Sequence, residues 1–132
     1  MTAQTLIIDD DPSFNAILVR TMTRRGFPAQ GALNVEAALS IARELRPQQI
    51  VLDLNLNGSS GLALIPELLA INPDCRIVVL TGYASIATAV DAVKLGAVQY
   101  LAKPVEIDAI LAAFEDDDGP DFGLPVSEEP LS

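Results

Sequence analysis

The run Leu6-Ile7-Ile8-Asp9-Asp10-Asp11-Pro12 decides the fold. An apolar stretch with no polar alternation stops at acids, and a proline follows. Strands buried on both faces read as such continuous runs, and they belong to parallel sheets covered by helices. We read Thr5–Asp9 as the strand. Asp11 suits a helix N-cap and Pro12 the first helical position. Phe14, Ile17, Leu18 and Met22 then recur at helical spacing, which predicts an inner face running to Arg25.

The same phrase repeats outward from this start. Pro28–Ala32 is a weak second strand, and its proline argues for a sheet edge. Asn34 caps a helix through Leu45, stopped by Pro47. Ile50–Leu54 is a third apolar strand with Asp53 near its end. A helix begins at Ser60 or Gly61, with Pro66 early enough to be tolerated. Arg76–Leu80 is the fourth strand, ending at Thr81. Ile86, Ala89, Val90 and Val93 line the next helix, which Gly96 ends. Val98–Leu101 is the fifth strand, followed by Lys103-Pro104, and Ile107, Ile110, Leu111 and Phe114 mark a last helix. Five strand–helix units predict an α/β fold: one parallel sheet with helices on both faces.

The chain has 132 residues, 18 acidic and 8 basic, for a net charge of -10. Residues 115–132 hold seven of the acids and no base, so residues 1–114 are only mildly acidic. We expect a domain over 1–114 and an acidic, Pro-containing, disordered linker over 115–132. No basic footprint suits nucleic acid, so DNA contact is expected only through a domain outside this chain. No apolar run approaches the ~20 residues that span a bilayer. The chain has no histidine and one cysteine, Cys75, so His/Cys zinc sites, His-based triads and internal disulfides are excluded.

Sites in such sheets form beyond the C-terminal strand ends. That rule brings Asp9, Asp10, Asp53, Thr81 and Lys103 to one edge. Clustered carboxylates repel, and a hard divalent cation with oxygen ligands meets their charge. Lysine is a point-charge phosphate binder, and Thr81 offers a hydroxyl to a phosphoryl oxygen. Asp53, on a central strand, is the best candidate for a carboxylate nucleophile. Singly, these residues read as caps, turn residues or a surface lysine; together they read as a phosphoryl site.

By these residues the chain resembles the receiver domain of two-component response regulators over about residues 4–114. The stretches are Leu6–Asp11, Val51-Leu52-Asp53-Leu54-Asn55-Leu56 with Gly61, Leu80-Thr81-Gly82-Tyr83-Ala84, and Tyr100-Leu101-Ala102-Lys103-Pro104. The resemblance implies a flavodoxin-like strand order 2-1-3-4-5. It implies Asp53 as phosphoacceptor and Mg2+ as cofactor. Asp10 and Asp53 would bind the metal directly, Asn55 through its backbone carbonyl, and Asp9 through water. Thr81 and Lys103 would hold the phosphoryl oxygens, the bond to Pro104 would be cis, and Asn55 and Tyr83 would tune dephosphorylation. Leu56-Asn57 replaces the Met-Pro often found in the family, which we read as tuning. The run Leu80–Val90, continued by Lys94-Leu95-Gly96-Ala97, looks like the redox-responsive regulators of the RegA/PrrA/ActR type, bacterial proteins with a helix-turn-helix domain after the receiver.

The expected function is a phosphorylation-dependent switch driven by a sensor histidine kinase, located in the cytoplasm. Only self-phosphorylation from small donors and self-dephosphorylation are expected as reactions. Tyr100 would swap rotamers and reshape the face of the fourth helix, fifth strand and fifth helix, where Thr88, Asp91, Lys94, Glu106 and Asp108 lie. Homodimerisation or control of an output domain would follow there. One rival is a receiver-like interaction module that takes no phosphoryl group. A less favoured one is a phosphatase with an aspartate nucleophile, which would place its nucleophile after strand one with a second acid two residues on.

Overall fold

The computed structural model describes residues 4–56, 59–82 and 86–115. Five strands form a parallel sheet: β1 (Thr5–Ile8), β2 (Ala29–Ala32), β3 (Gln49–Asp53), β4 (Arg76–Thr81) and β5 (Gln99–Ala102). Their order is β2-β1-β3-β4-β5, so β2 is an edge, as Pro28 suggested. The helices are α1 (Pro12–Arg24), α2 (Val35–Leu45), α3 (Leu64–Ile71), α4 (Ile86–Lys94) and α5 (Ile107–Glu115).

Successive side chains of a strand point to opposite faces. Leu6, Ile8, Ile50, Leu52, Ile77 and Val79 therefore share one core with Ala38 and Ala42 of α2, Leu64, Ile65 and Leu68 of α3, and Ala92 of α4. Ile7, Val51, Val78 and Leu80 share the other with Leu18 and Met22 of α1 and Ile110, Ala113 and Phe114 of α5. Both faces are covered, which explains why the strands read as unbroken apolar runs. Truncating one of these buried Leu or Ile side chains to Ala costs about 2–5 kcal/mol.

Two details depart from the expectations. Ile17 is not on the inner face of α1; it is 56% exposed. The buried side is Asn15, Leu18 and Met22, spaced i, i+3, i+7, with Phe14 packed at its margin. At 100° per residue Ile17 falls on the opposite side. The chain after β3 also does not run straight into a helix. Asn55–Leu56 and Ser59–Ser60 pair antiparallel, a 3-10 turn covers Gly61–Ala63, and α3 begins only at Leu64. Pro66 is then the third residue of α3, where no intrahelical N–H is lost. The tail beyond residue 115, where a disordered linker was expected, lies outside the described residues.

Candidate functional site

The parallel register brings every strand's C-terminal end to one edge of the sheet. Asp9 follows the last residue of β1 and is 1% exposed. Its backbone N–H donates to the Ala32 carbonyl at 3.1 Å, and its Oδ1 accepts the Asp11 N–H at 2.9 Å. Asp11 is the expected cap: its Oδ1 accepts from the N–H groups of Ser13 and Phe14 at 3.0 and 3.3 Å. Asp53 closes β3 on the central strand and is 5% exposed. Its Oδ1 accepts the Asn55 N–H at 3.1 Å. Gly61 presses on this corner. A Cβ there would lie 2.6 Å from the Asp53 carbonyl oxygen, so only glycine permits the Gly61 N–H to reach the Leu54 carbonyl at 2.7 Å.

Lys103 joins the two acids. Its Nζ donates to Asp9 Oδ2 at 2.9 Å and to Asp53 Oδ2 at 3.3 Å. The Phe14 ring lies beside it, 4.6 Å from Nζ to the centroid, a cation–π contact. The Lys103 backbone N–H donates to the Thr81 carbonyl at 2.8 Å, and the Lys103-Pro104 bond is cis, as the resemblance implied. Thr81 is buried one residue beyond Leu80, which pairs with Asp53. Asp10 is half-buried beside Asp9. A shallow cavity of about 360 Å³ opens beside Lys103, lined also by Asp11, Phe14, Gly82, Pro104 and Val105.

The charges are unevenly matched. Burial pushes the Asp53 carboxyl above the usual carboxylate range; the Asn55 N–H opposes this, the Asp9 charge adds to it, and Lys103 opposes it. Burial alone would lower the Lys103 ammonium. The hydrogen bond to Asp9 and the charges of Asp53 and Asp9 outweigh that, so Lys103 titrates above its ordinary value. Burial, helped by the Asp9 charge, outweighs the pairing with Lys103 at Asp53.

Asp9, Asp10 and Asp53 each present an oxygen within 4.8 Å of the others. Among the described residues, three carboxylates carry more formal charge here than the one ammonium of Lys103. An all-oxygen donor set with excess charge fits a hard divalent cation and does not suit zinc or copper chemistry.

Residues 5–115 match the response regulator receiver domain family. The chain belongs to that family. It is 48% identical over 108 residues to the acid tolerance regulatory protein ActR of Rhizobium meliloti, covering 82% of this chain and 56% of ActR. It is 44% identical over 108 residues to the photosynthetic apparatus regulatory protein RegA of Cereibacter sphaeroides, covering 82% and 59%. The receiver therefore spans little more than half the length of these curated relatives. Their likeness agrees with the subfamily read from Leu80–Ala97. A solved response regulator from Burkholderia pseudomallei, described with a phosphorylated aspartic acid, a calcium ion and citrate, superposes with a TM-score of 0.82 at 49% identity. That match covers 85% of this chain and 66% of the other.

Of the residues expected at the site, the structure brings Asp9, Asp10, Asp53 and Lys103 together, with Asn55 and Thr81 on the flanking backbone. Tyr100 stands apart, half-buried on β5 and packed against the core under α2, α3 and α4. Tyr83 lies outside the described residues. Sequence reasoning passed over Asn15, which is 3% exposed beneath the site. The apolar spacing used to read α1 gives no signal for a buried amide.

Proposed function

We propose that this receiver is a phosphorylation-dependent switch whose phosphoacceptor is Asp53. The observation that carries the reading is the placement of Asp53 on the central strand beside Asp9, with the Lys103 ammonium bridging the two. An Asp53 oxygen attacks the phosphorus of a phosphohistidine on a sensor histidine kinase. The P–O bond forms as the P–N bond breaks, and the imidazole nitrogen leaves with the electron pair. Lys103 then shifts its hydrogen bonding to a phosphoryl oxygen, and the Thr81 hydroxyl holds another. Asp10, Asp53 and the Asn55 carbonyl would hold Mg2+, with Asp9 acting through water; the bound ion supplies neutralising charge at the phosphoryl oxygens. The phosphorylated aspartate and the calcium ion named for the Burkholderia pseudomallei relative support both parts of this reading. Asn55 and Tyr83 would tune the water attack that removes the phosphoryl group.

The new group adds about -1.5 to -2 charge and three acceptor oxygens. Drawing Thr81 toward them biases an existing equilibrium of Tyr100 and of the face formed by α4, β5 and α5. That face carries an apolar hollow of about 280 Å³ lined by Gln99, Leu101, Ala109, Ala112 and Ala113. Leu95, which follows α4, is 41% exposed. A second receiver, or an output domain that binds DNA, would dock there. Asp108 on α5 is already paired with Arg25 at 2.8 Å, so that contact is also available to report a change. In this reading the receiver works in the cytoplasm, with residues 115–132 as a linker.

Intact mass after incubation with Mg2+ and acetyl phosphate tests the proposal. One phosphoryl group should be gained, chelator should prevent it, and Asp53→Ala should abolish it. No gain while a reference receiver is labelled would favour the interaction module; labelling retained in Asp53→Ala would name the wrong carboxylate.

A further inference from the structure

Asp9 sits just past the end of β1, outside the paired register. Its carbonyl is held by a side chain. Asn15 Nδ2 lies 3.0 Å from the Asp9 carbonyl oxygen, 3.0 Å from that of Ala32 and 3.2 Å from that of Ile7. An amide nitrogen carries two hydrogens, so one of them is shared between two of these three acceptors. The Ala32 carbonyl also accepts the Asp9 N–H at 3.1 Å. Asp9 is thereby fixed at both backbone ends, its N–H by β2 and its C=O by α1. Its two carboxylate oxygens are spoken for by the Asp11 N–H and Lys103 Nζ.

Gly31 completes the arrangement from the opposite side. A Cβ on Gly31 would stand 2.0 Å from Asn15 Oδ1 and 3.0 Å from its Cγ. The amide cannot yield that space without leaving the carbonyls. Gly31 pairs with Ile7 in the regular β1–β2 ladder, so an added methyl tests this contact and not the backbone conformation.

We infer that Asn15 is a positioning residue for the acidic site: with Gly31 kept free of a Cβ, it clamps the end of β1 and so sets where Asp9 and Asp10 present their oxygens to a divalent cation. The inference rests on the Mg2+-binding, phosphoacceptor reading of that site. Metal geometry tolerates displacements of only about 0.5 Å, and partners that orient ligands are typically worth 10–100-fold in metal affinity. A residue that merely stabilised the fold would lower the melting temperature without that selectivity.

The test is calorimetric titration with Mg2+ alone on the full chain, with thermal melts in parallel. Asn15→Ala and Gly31→Ala should each weaken Mg2+ binding about tenfold, and Gly31→Ala should add nothing further in the Asn15→Ala background. Asn72→Ala, at the other end of the sheet, should lower the melting temperature yet leave the Mg2+ dissociation constant within twofold. Mg2+ binding within twofold of the parent in both site variants, or fully additive losses, would overturn the inference while leaving the phosphoacceptor reading intact. Should Asn15→Ala not fold, Gly31→Ala decides alone: unchanged affinity overturns the inference. No Mg2+ binding by the parent chain would overturn both together.

Discussion

At the edge where the strands begin, polar groups are matched to one another. Thr5 Oγ1 donates to Gln49 Oε1 at 3.1 Å, and the N–H groups of Gln48 and Gln49 share the Gln4 carbonyl. Asn72 Nδ2 reaches the carbonyls of Arg46 and Pro47 at 3.4 and 3.1 Å. Arg76, at the start of β4, donates to the Phe114 carbonyl at the end of α5, where the helix dipole favours a cation. At the edge where the strands end, three carboxylates meet one ammonium, and two of the acids are nearly sealed from water. The first edge is built to close the sheet. The second gathers more formal negative than positive charge among the described residues, which costs stability and favours a cation and a phosphoryl group.

The comparison breaks most sharply at Lys103. Lys103→Ala leaves Asp9 and Asp53 facing each other without the ammonium. We expect a loss of about 2 kcal/mol in urea unfolding at neutral pH, less than for a fully buried pair because the lysine side chain is 25% exposed. Millimolar Mg2+ should restore part of it. Stability unchanged by the substitution would mean that the charges are not coupled.

Asp53→Asn should act in the other direction. Because burial raises its pKa in the fold, the stability tied to this group is present below its ordinary value of 3.8 and is lost as pH rises through the folded value. At pH 7 the ionised carboxylate is therefore a net cost. The neutral amide should raise the urea midpoint at pH 7, and the gain should vanish toward pH 3. A lower midpoint at pH 7 would contradict the charge imbalance.

The smallest effect belongs to the matched edge. Arg46 caps α2 in the left-handed region at φ 47°. Arg46→Gly should relieve that conformation and stabilise the fold by about 0.5 kcal/mol, with Mg2+ binding unchanged. Altered Mg2+ binding would show that the two edges are not independent.

The sheet was legible because β1, β3 and β4 are buried on both faces and stop at Asp9, Asp53 and Thr81, residues that cannot be buried cheaply. Asp9, Asp53, Thr81 and Lys103 were legible for the same reason, since parallel topology alone brings them to one edge. The pairing of Asn55–Leu56 with Ser59–Ser60 was not, because two-residue strands carry no period. Ile17 was misplaced because α1 also buries a polar residue, and an apolar pattern cannot register Asn15 as part of the inner face. The division of Lys103 between Asp9 and Asp53 depends on tenths of an ångström, which no spacing encodes.

The most direct test of the difference between the edges is an amide chemical-shift map of the chain, first with Mg2+ and then with Mg2+ and beryllofluoride as a phosphoryl mimic. The account predicts Mg2+ shifts at residues 9–11 and 53–55. The mimic should extend them to 81–82, 100–104 and the face of α4, β5 and α5, with Thr5, Gln49, Asn72 and Arg76 quiet. Shifts centred on Thr5, Gln49, Asn72 and Arg76, or none at either edge, would contradict it.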